Sequence, residues 1–152
     1  MQPVIPSSPV SARFSLVLET PAADPEAAHR HFAAKLSVET DPSDVHADLG
    51  KGHTGFVVLD ARSAEAYADC HVPGAVSLPY RQISEETTAR WTREHVLVVY
   101  CWGPGCNAAT KAAMRLSALG FRVKEMIGGL EYWRREGYAV EGSLGRDASM
   151  YG

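Results

Sequence analysis

Two spacings of hydrophobic residues alternate along most of the chain. Short, nearly continuous apolar runs are typical of strands buried on both faces. Such runs lie at residues 56–59, 76–78, 95–100 and 121–126. Between them, capping residues and apolar residues at helical spacing predict helices over 42–50, 107–119 and 130–136. Strands that alternate with helices predict an α/β fold, with a mainly parallel central sheet and helices on both faces.

The start of the chain departs from this pattern. Its prolines and serines predict a flexible extension over residues 1–23, with a possible strand from Phe14 to Leu18. A helix from Pro25 to about Leu36 follows, with Asp24 as its capping residue. The sequence does not decide whether this extension packs on the core or makes a dimer contact. It does not give the oligomeric state either.

The end of the chain is also distinct. After Gly142 the sequence becomes rich in glycine and serine, so we expect it to fray. The expected organisation is therefore one domain over residues 24–144 and a tail over residues 145–152.

A cysteine stands at the carboxyl end of the strand at 95–100, where open α/β sheets place their ligand sites. The loop that follows Cys101 contains two glycines, and its inward N–H groups would favour an anion. The next helix begins near Asn107, and its partial positive charge would stabilise a thiolate. We favour a nucleophilic Cys101 over the alternative, in which it is only a small buried hydrophobic residue.

Composition narrows the possible functions. The chain has 152 residues, 45% of them hydrophobic, which is enough to bury one core. A net charge of −3 gives no basic surface for nucleic acid, and we see no secretory signal or membrane-spanning run. Three cysteines favour a reducing cytoplasm. Because no zinc-type spacing of Cys or His occurs, we expect neither a metal nor a cofactor.

Several separated motifs carry a resemblance. They are Val58-Leu59-Asp60-Ala61-Arg62, His71-Val72-Pro73-Gly74-Ala75, Tyr100-Cys101 with its loop and Ala-rich helix, and Gly128-Gly129-Leu130-Glu131-Tyr132-Trp133. In this order they resemble the rhodanese sulfurtransferase family over about residues 37–142. The resemblance implies a rhodanese-like fold and a catalytic Cys101 that accepts sulfane sulfur as a persulfide. The sulfur would come from a small donor and pass to a thiol, to cyanide or to a protein acceptor.

The chain departs from this family in the loop after the cysteine. Many single-domain members have arginine where this chain has Cys106, and related phosphatases have it where this chain has Asn107. No lysine or arginine occurs between Cys101 and Lys111. Phosphatase activity is therefore disfavoured, and we expect a persulfide of low charge to be a better donor than thiosulfate. The predicted substrate-binding residues are Trp102, Gly103, Pro104, Gly105, Cys106, Asn107 and, as a replacement cation, Arg81.

The other two cysteines have different expected roles. Cys106 could resolve a persulfide or sulfenate on Cys101 if their Cα atoms lie within about 7 Å. The alternative, which we favour, is that Cys106 only fills the wall of the loop. Cys70 is expected to be structural, and inert if it is buried.

Three further polar residues are assigned to loop support. Asp60 and Arg62 follow the first buried strand and are expected to anchor a turn through their side chains. His71 precedes Val-Pro-Gly-Ala, so we expect it to fix a turn rather than to act as a base. Two functions remain open: a sulfurtransferase that uses Cys101, and a non-catalytic redox-sensing or binding module that uses Cys101 and Cys106.

Overall fold

The computed structural model describes Pro3 and residues 13–152. The chain divides into a first unit that ends at Ala33 and a second unit of residues 34–152. Most of the predicted flexible extension, residues 1–2 and 4–12, lies outside the described residues. The predicted strand at Phe14–Leu18 is wrong, because residues 16–18 form a turn. The N–H of Leu18 donates to Ser15 Oγ at 3.2 Å, and such local bonds compete with strand pairing.

The first helix, α1 (Pro25–Val38), begins as predicted. The Asp24 carboxylate accepts the N–H of Ala27 at 2.9 Å. This bond satisfies one of the helix's free donors.

Five strands of the described chain form one sheet in which every pair is parallel. They are β1 (Glu39–Thr40), β2 (Phe56–Asp60), β3 (Val76–Ser77), β4 (Val96–Tyr100) and β5 (Arg122–Met126). Their spatial order is β1-β5-β4-β2-β3. The predicted parallel sheet is confirmed, and β4 lies at its centre. Strand β1 was not predicted, since two residues are too few for a recognisable pattern.

The remaining helices are α2 (Pro42–Gly50), α3 (Ala64–Asp69), α4 (Ala108–Ala118) and α5 (Gly129–Arg135), with short 3₁₀ turns at Tyr80–Gln82 and Gly145–Asp147. Helix α2 has the predicted bounds, and the Asp41 carboxylate accepts the N–H of Asp44 at 2.8 Å. The six residues of α3 were not predicted. That helix is too short for a periodic signal, and Ser63 caps it by accepting the N–H of Ala66 at 3.1 Å.

Side chains of β4 alternate between two hydrophobic cores. Val98 and Tyr100 pack in one core with Trp133 of α5. Leu97, Val99 and Cys101 pack in the other, with Ala109, Ala112 and Leu116 of α4. Both faces of the sheet are thus covered, which explains why the β4 sequence is apolar throughout. The same alternation directs Cys101 towards α4.

The prediction that the chain frays after Gly142 is wrong. The guanidinium of Arg134 donates to the backbone carbonyls of Arg146, Ala148 and Ser149 at 2.9, 3.2 and 3.0 Å. Ala148 is buried in the core with Trp133. A buried arginine therefore helps to hold a segment whose composition alone indicates a mobile end.

No helix among the described residues is long and apolar enough to cross a membrane.

Candidate functional site

Cys101 directly follows β4 at the carboxyl edge of the sheet. Only 3% of its surface is exposed. The loop after it begins with a turn, since the N–H of Cys106 donates to the carbonyl of Gly103 at 3.0 Å. This turn returns the chain over Cys101, and a disulfide joins Cys101 to Cys106 with their Cα atoms 6.3 Å apart. The interpretation of Cys106 as wall filling alone is therefore wrong: the geometry brings the two sulfur atoms together.

The first turn of α5 holds the same loop from the other side. The N–H groups of Leu130 and Glu131 donate to the carbonyls of Cys101 and Trp102 at 2.9 and 2.8 Å. Gly129 allows this close approach. A Cβ at that position would lie 2.5 Å from the Cys101 carbonyl oxygen, and φ there is +60°. Gly129 thus positions the cysteine loop, a role that the sequence analysis did not assign.

A cavity of about 880 Å³ opens beside the two cysteines. All the predicted loop residues from Cys101 to Asn107 line it. The other lining residues are Ala109, Thr110, Glu125, Met126, Ile127, Gly128, Gly129, Glu131, Tyr151 and Gly152. The structure therefore brings the loop residues together as predicted, and adds residues from β5, α5 and the end of the chain.

The charged residues that line this cavity are acidic. Glu131 is 15% exposed in its side chain and pairs with Arg135 at 2.9 Å. Glu125 accepts a hydrogen bond from the Thr110 hydroxyl at 2.7 Å. Within the described part of the chain, no lysine or arginine is among the lining residues. The cavity is therefore poorly suited to a multiply charged anion.

Arg81 does not supply the missing cation. Its Nε donates to the Tyr80 hydroxyl at 2.9 Å, and Arg81 is not among the cavity-lining residues. Tyr80 in turn lies against α4, where Arg115 donates to the Tyr80 carbonyl at 2.8 Å. The prediction that Arg81 lines the pocket is wrong, because the 3₁₀ turn that carries it packs along the side of α4.

Asn107 precedes α4 as predicted, but its side chain makes no capping hydrogen bond. The predicted amide cradle loses one further donor, since the N–H of Cys106 donates to the carbonyl of Gly103. Among the described residues, the N–H groups of Trp102, Gly103, Gly105 and Asn107 have no recorded acceptor. These four groups therefore make no backbone hydrogen bond within the described part of the chain.

Asp60 and Arg62 form a buried ion pair. Arg62 Nη2 lies 2.7 Å from Asp60 Oδ2, and Arg62 Nε lies 3.0 Å from Oδ1. Nη2 also donates to the carbonyls of Ala66 and Cys70, at the end of α3. The guanidinium carbon lies 4.4 Å from the centre of the Trp102 ring, a cation–π contact. The ion pair is thus placed to support the loop through its contact with the Trp102 side chain.

Tyr100 extends this buried network. Its hydroxyl donates to Asp60 Oδ2 at 2.7 Å and accepts the N–H of Val72 at 3.1 Å. Burial first, and then the nearby Asp60 carboxylate, raises the pKa of Tyr100 well above its ordinary value. Burial lowers the pKa of Arg62, but the hydrogen bonds to Asp60 and the charge interactions with Asp60, Tyr100 and Cys70 together raise it more, so that pKa is raised overall. At neutral pH the Arg62 guanidinium is therefore charged and the Tyr100 phenol is neutral.

His71 lies just after α3 and directly before the segment of residues 72–75 that it was expected to fix. Its backbone forms an isolated antiparallel bridge with Glu141, and its Nδ1 lies 2.6 Å from the Tyr67 carbonyl oxygen. The ring stacks on Tyr67, and His71 is not a lining residue of the cavity.

Cys70 has 1% of its surface exposed, and burial raises the pKa of its thiol. It is buried, as an inert structural cysteine should be.

Ten of the described lining residues were not assigned to the site by the sequence analysis, among them Glu125, Gly129, Glu131 and Tyr151. The motif that contains Gly128, Gly129 and Glu131 was the available signal, but it was used only for the family resemblance and was given no role in the site. Glu125 and Tyr151 reach the site from β5 and from the packed tail, so their positions depend on the fold.

Chains of known structure resemble this one closely. The BH2092 protein of Bacillus halodurans is 53% identical and has a TM-score of 0.84, with 85% of this chain and 94% of that chain covered. A rhodanese-like domain from Anabaena is 26% identical with a TM-score of 0.65, over 75% of this chain and 85% of that one. Thiosulfate sulfurtransferase from Pseudomonas aeruginosa shares the fold at 21% identity and a TM-score of 0.57, over 76% of this chain and 21% of that chain.

A curated relative is the HTH-type transcriptional regulator Rv0324 of Mycobacterium tuberculosis, 32% identical over 94 residues. The match covers 61% of this chain and 41% of that protein, so this chain spans only part of the relative's length. A family model for the rhodanese-like domain matches residues 41–136. The motifs, the parallel sheet and the cysteine loop agree with that match, and the chain belongs to the rhodanese-like domain family.

Proposed function

We propose that this chain is a sulfurtransferase in which Cys101 carries a sulfane sulfur as a persulfide. The observation that carries the proposal is the position of Cys101, at the end of a central strand and against a cavity lined by its own loop. Membership of the rhodanese-like family supports the same chemistry. The reaction requires the reduced protein, so the proposal includes a reducing, cytoplasmic setting.

In the first step the Cys101 thiolate attacks the outer sulfur of a donor. The new bond joins Cys101 Sγ to that sulfur, and the bond between that sulfur and the rest of the donor breaks; a persulfide donor leaves as a thiolate, and thiosulfate leaves as sulfite. The negative charge at the sulfur can accept hydrogen bonds from the unused N–H groups of Trp102, Gly103, Gly105 and Asn107. In the second step a thiol or cyanide, small or protein-borne, takes the outer sulfur and releases the Cys101 thiolate.

The charge of the cavity supports a preference among donors. Thiosulfate carries two negative charges, and the site offers it the carboxylates of Glu125 and Glu131 with no lining cation from the described residues. In glutathione persulfide or a protein persulfide, the sulfur group that reacts with Cys101 carries at most one negative charge. We therefore propose a persulfide donor in preference to thiosulfate.

The test starts from fully reduced protein, incubated separately with thiosulfate, 3-mercaptopyruvate and glutathione persulfide. Intact mass is measured for the wild type and for the Cys101→Ser and Cys106→Ser variants. The proposal predicts that Cys106→Ser gains one sulfur atom, and gains it fastest from glutathione persulfide. Cys101→Ser should gain none. Absence of any gain in Cys106→Ser with all three donors would contradict sulfur transfer, and a preference for thiosulfate would contradict the donor class.

A second candidate is a redox-sensing or binding module without turnover. The Cys101–Cys106 disulfide favours it, because oxidation consumes the nucleophile. The similarity to part of a transcriptional regulator agrees with a sensing role. In this case the reduced protein would accept no sulfur from the three donors, while mild oxidation would form the disulfide and change binding to a partner.

A further inference from the structure

We propose that Cys106 resolves the Cys101 persulfide, so that the protein releases hydrosulfide and ends each sulfur-accepting event as the Cys101–Cys106 disulfide. This inference rests on the proposed function, because it needs a persulfide on Cys101. It adds a different outcome: the sulfane sulfur is reduced instead of passed on.

The geometry of the loop carries the inference. The Cα atoms of Cys101 and Cys106 are 6.3 Å apart, within the usual range of about 4.4–6.8 Å for a disulfide. The turn closed by the Gly103 carbonyl and the Cys106 N–H holds this separation. The Cys106 sulfur therefore reaches the inner sulfur of a Cys101 persulfide, the atom to which it is bonded in the disulfide.

The step balances in atoms and electrons. The Cys106 thiolate attacks Cys101 Sγ, the bond between Sγ and the outer sulfur breaks, and the outer sulfur leaves as HS⁻. The sulfane sulfur is reduced by two electrons, and the two cysteine sulfurs are oxidised to a disulfide. Two low-molecular-weight thiols, or one dithiol, then reduce this disulfide and complete the cycle.

The two cysteines differ in burial, and this difference determines which sulfur of the disulfide a reducing thiol attacks. Cys101 is 3% exposed, whereas Cys106 is half-buried and lines the cavity. An incoming thiol therefore has easier access to the Cys106 sulfur. Attack there leaves Cys101 as the departing thiolate, which is the form that accepts the next sulfane sulfur.

The absence of a loop cation agrees with this role. Between residues 101 and 111, the chain offers a second thiol in place of a positive charge. The loop is thus better equipped to reduce a bound sulfane sulfur than to hold an anionic donor.

The test is a single turnover of reduced wild-type protein, at about 10 μM, with one equivalent of glutathione persulfide. Hydrosulfide is trapped with monobromobimane and the protein is analysed by intact mass. The intramolecular thiol acts at an effective concentration of the order of millimolar, so wild-type release should exceed release by the freed glutathione about 100-fold. The wild type should release one HS⁻ per chain and end as the disulfide.

Two variants complete the experiment. Cys106→Ser should retain its persulfide and release HS⁻ at the slow external rate. Cys70→Ala is the matched control, because only the backbone carbonyl of Cys70 bonds Arg62, and it should behave as the wild type.

Each contrary outcome is distinguishable. A wild type that keeps the sulfur on Cys101, or moves it to Cys106 as a second persulfide, overturns the resolving step and leaves the proposed function intact. Equal HS⁻ release by wild type and Cys106→Ser also overturns it. No sulfur gain in Cys106→Ser overturns the proposed function, and this inference with it.

Discussion

The two sides of the Cys101 loop use charge in opposite ways. Beneath Trp102, the guanidinium of Arg62 is fully enclosed and bonded to Asp60 and to backbone carbonyls. On the open side, the cavity contains two carboxylates and two cysteines, but no lysine or arginine from the described residues. The arginine that contacts Trp102 thus serves the fold. Chemistry at the cavity has to come from sulfur atoms and backbone N–H groups.

The largest expected effect tests the structural side of this comparison. Arg62→Ala leaves the Asp60 carboxylate buried without its partner, and breaking such a pair costs about 3–5 kcal/mol. We expect a loss of this size in the free energy of unfolding, measured by urea denaturation. Arg81→Ala is the matched control: Arg81 is exposed, so we expect a change within about 0.5 kcal/mol. Equal effects for the two arginines would contradict the assignment.

The next effect tests how α5 holds the loop. In Gly129→Ala, the new Cβ would overlap the Cys101 carbonyl at a positive φ. Strained backbone alone costs about 1–3 kcal/mol, so we expect at least about 2 kcal/mol of destabilisation and slower persulfidation of Cys101. Gly105→Ala is the control, since a Cβ there meets nothing within 4 Å. If both variants accept sulfur at the wild-type rate, Gly129 does not position the cysteine.

A smaller loss is expected for Tyr100→Phe. Removal of the hydroxyl leaves the buried N–H of Val72 without its partner and removes one of the donors to Asp60 Oδ2, at a cost of about 1–3 kcal/mol near neutral pH. Tyr132→Phe, at an exposed position, is the control. Chemical denaturation at pH 7 measures both.

The difference in stability between the wild type and Tyr100→Phe should also depend on pH. The folded protein keeps the Tyr100 proton to a higher pH than the unfolded chain, because the pKa is raised. Above the ordinary tyrosine pKa of 10.0, wild-type stability should therefore fall by up to about 1.4 kcal/mol per pH unit from this group. Tyr100→Phe should lack this contribution, so the stability difference should narrow from pH 10 upwards. A constant difference would contradict a buried, protonated Tyr100.

The smallest expected effect tests the charge of the cavity on the open side of the Cys101 loop. Glu125→Gln removes one cavity charge, and one charge at roughly 8 Å with an effective dielectric constant near 40 is worth about 1 kcal/mol. We expect the rate with thiosulfate, relative to glutathione persulfide, to rise about fivefold. Glu94→Gln is the control, at an exposed position away from the lining residues. An unchanged ratio would show that cavity charge does not select the donor.

Local sequence signals were sufficient for most of the architecture. Asp24 and Asp41 cap the helices that follow them, and the apolar run before Cys101 is the central strand. These features depend on neighbours within a few residues. The strand predicted at Phe14–Leu18 failed because a short polar contact from Ser15 closes a turn.

The sequence predicted the site only where its residues are neighbours in the chain. The loop from Cys101 to Asn107 lines the cavity as expected, since seven consecutive residues cannot separate. Arg81 was placed wrongly, because its position depends on how a 3₁₀ turn packs on α4. Gly129 and Glu131 were missed for the related reason that their contacts with the loop span about thirty residues of sequence.

The most direct measurement locates the sulfur itself. Reduced Cys106→Ser protein is treated with glutathione persulfide, its remaining thiols and persulfides are alkylated, and the peptides are mapped by mass spectrometry. The account predicts one extra sulfur on Cys101 and none on Cys70. An extra sulfur on Cys70, or on neither cysteine, would contradict the claim that the loop of Cys101 is a sulfur-accepting site.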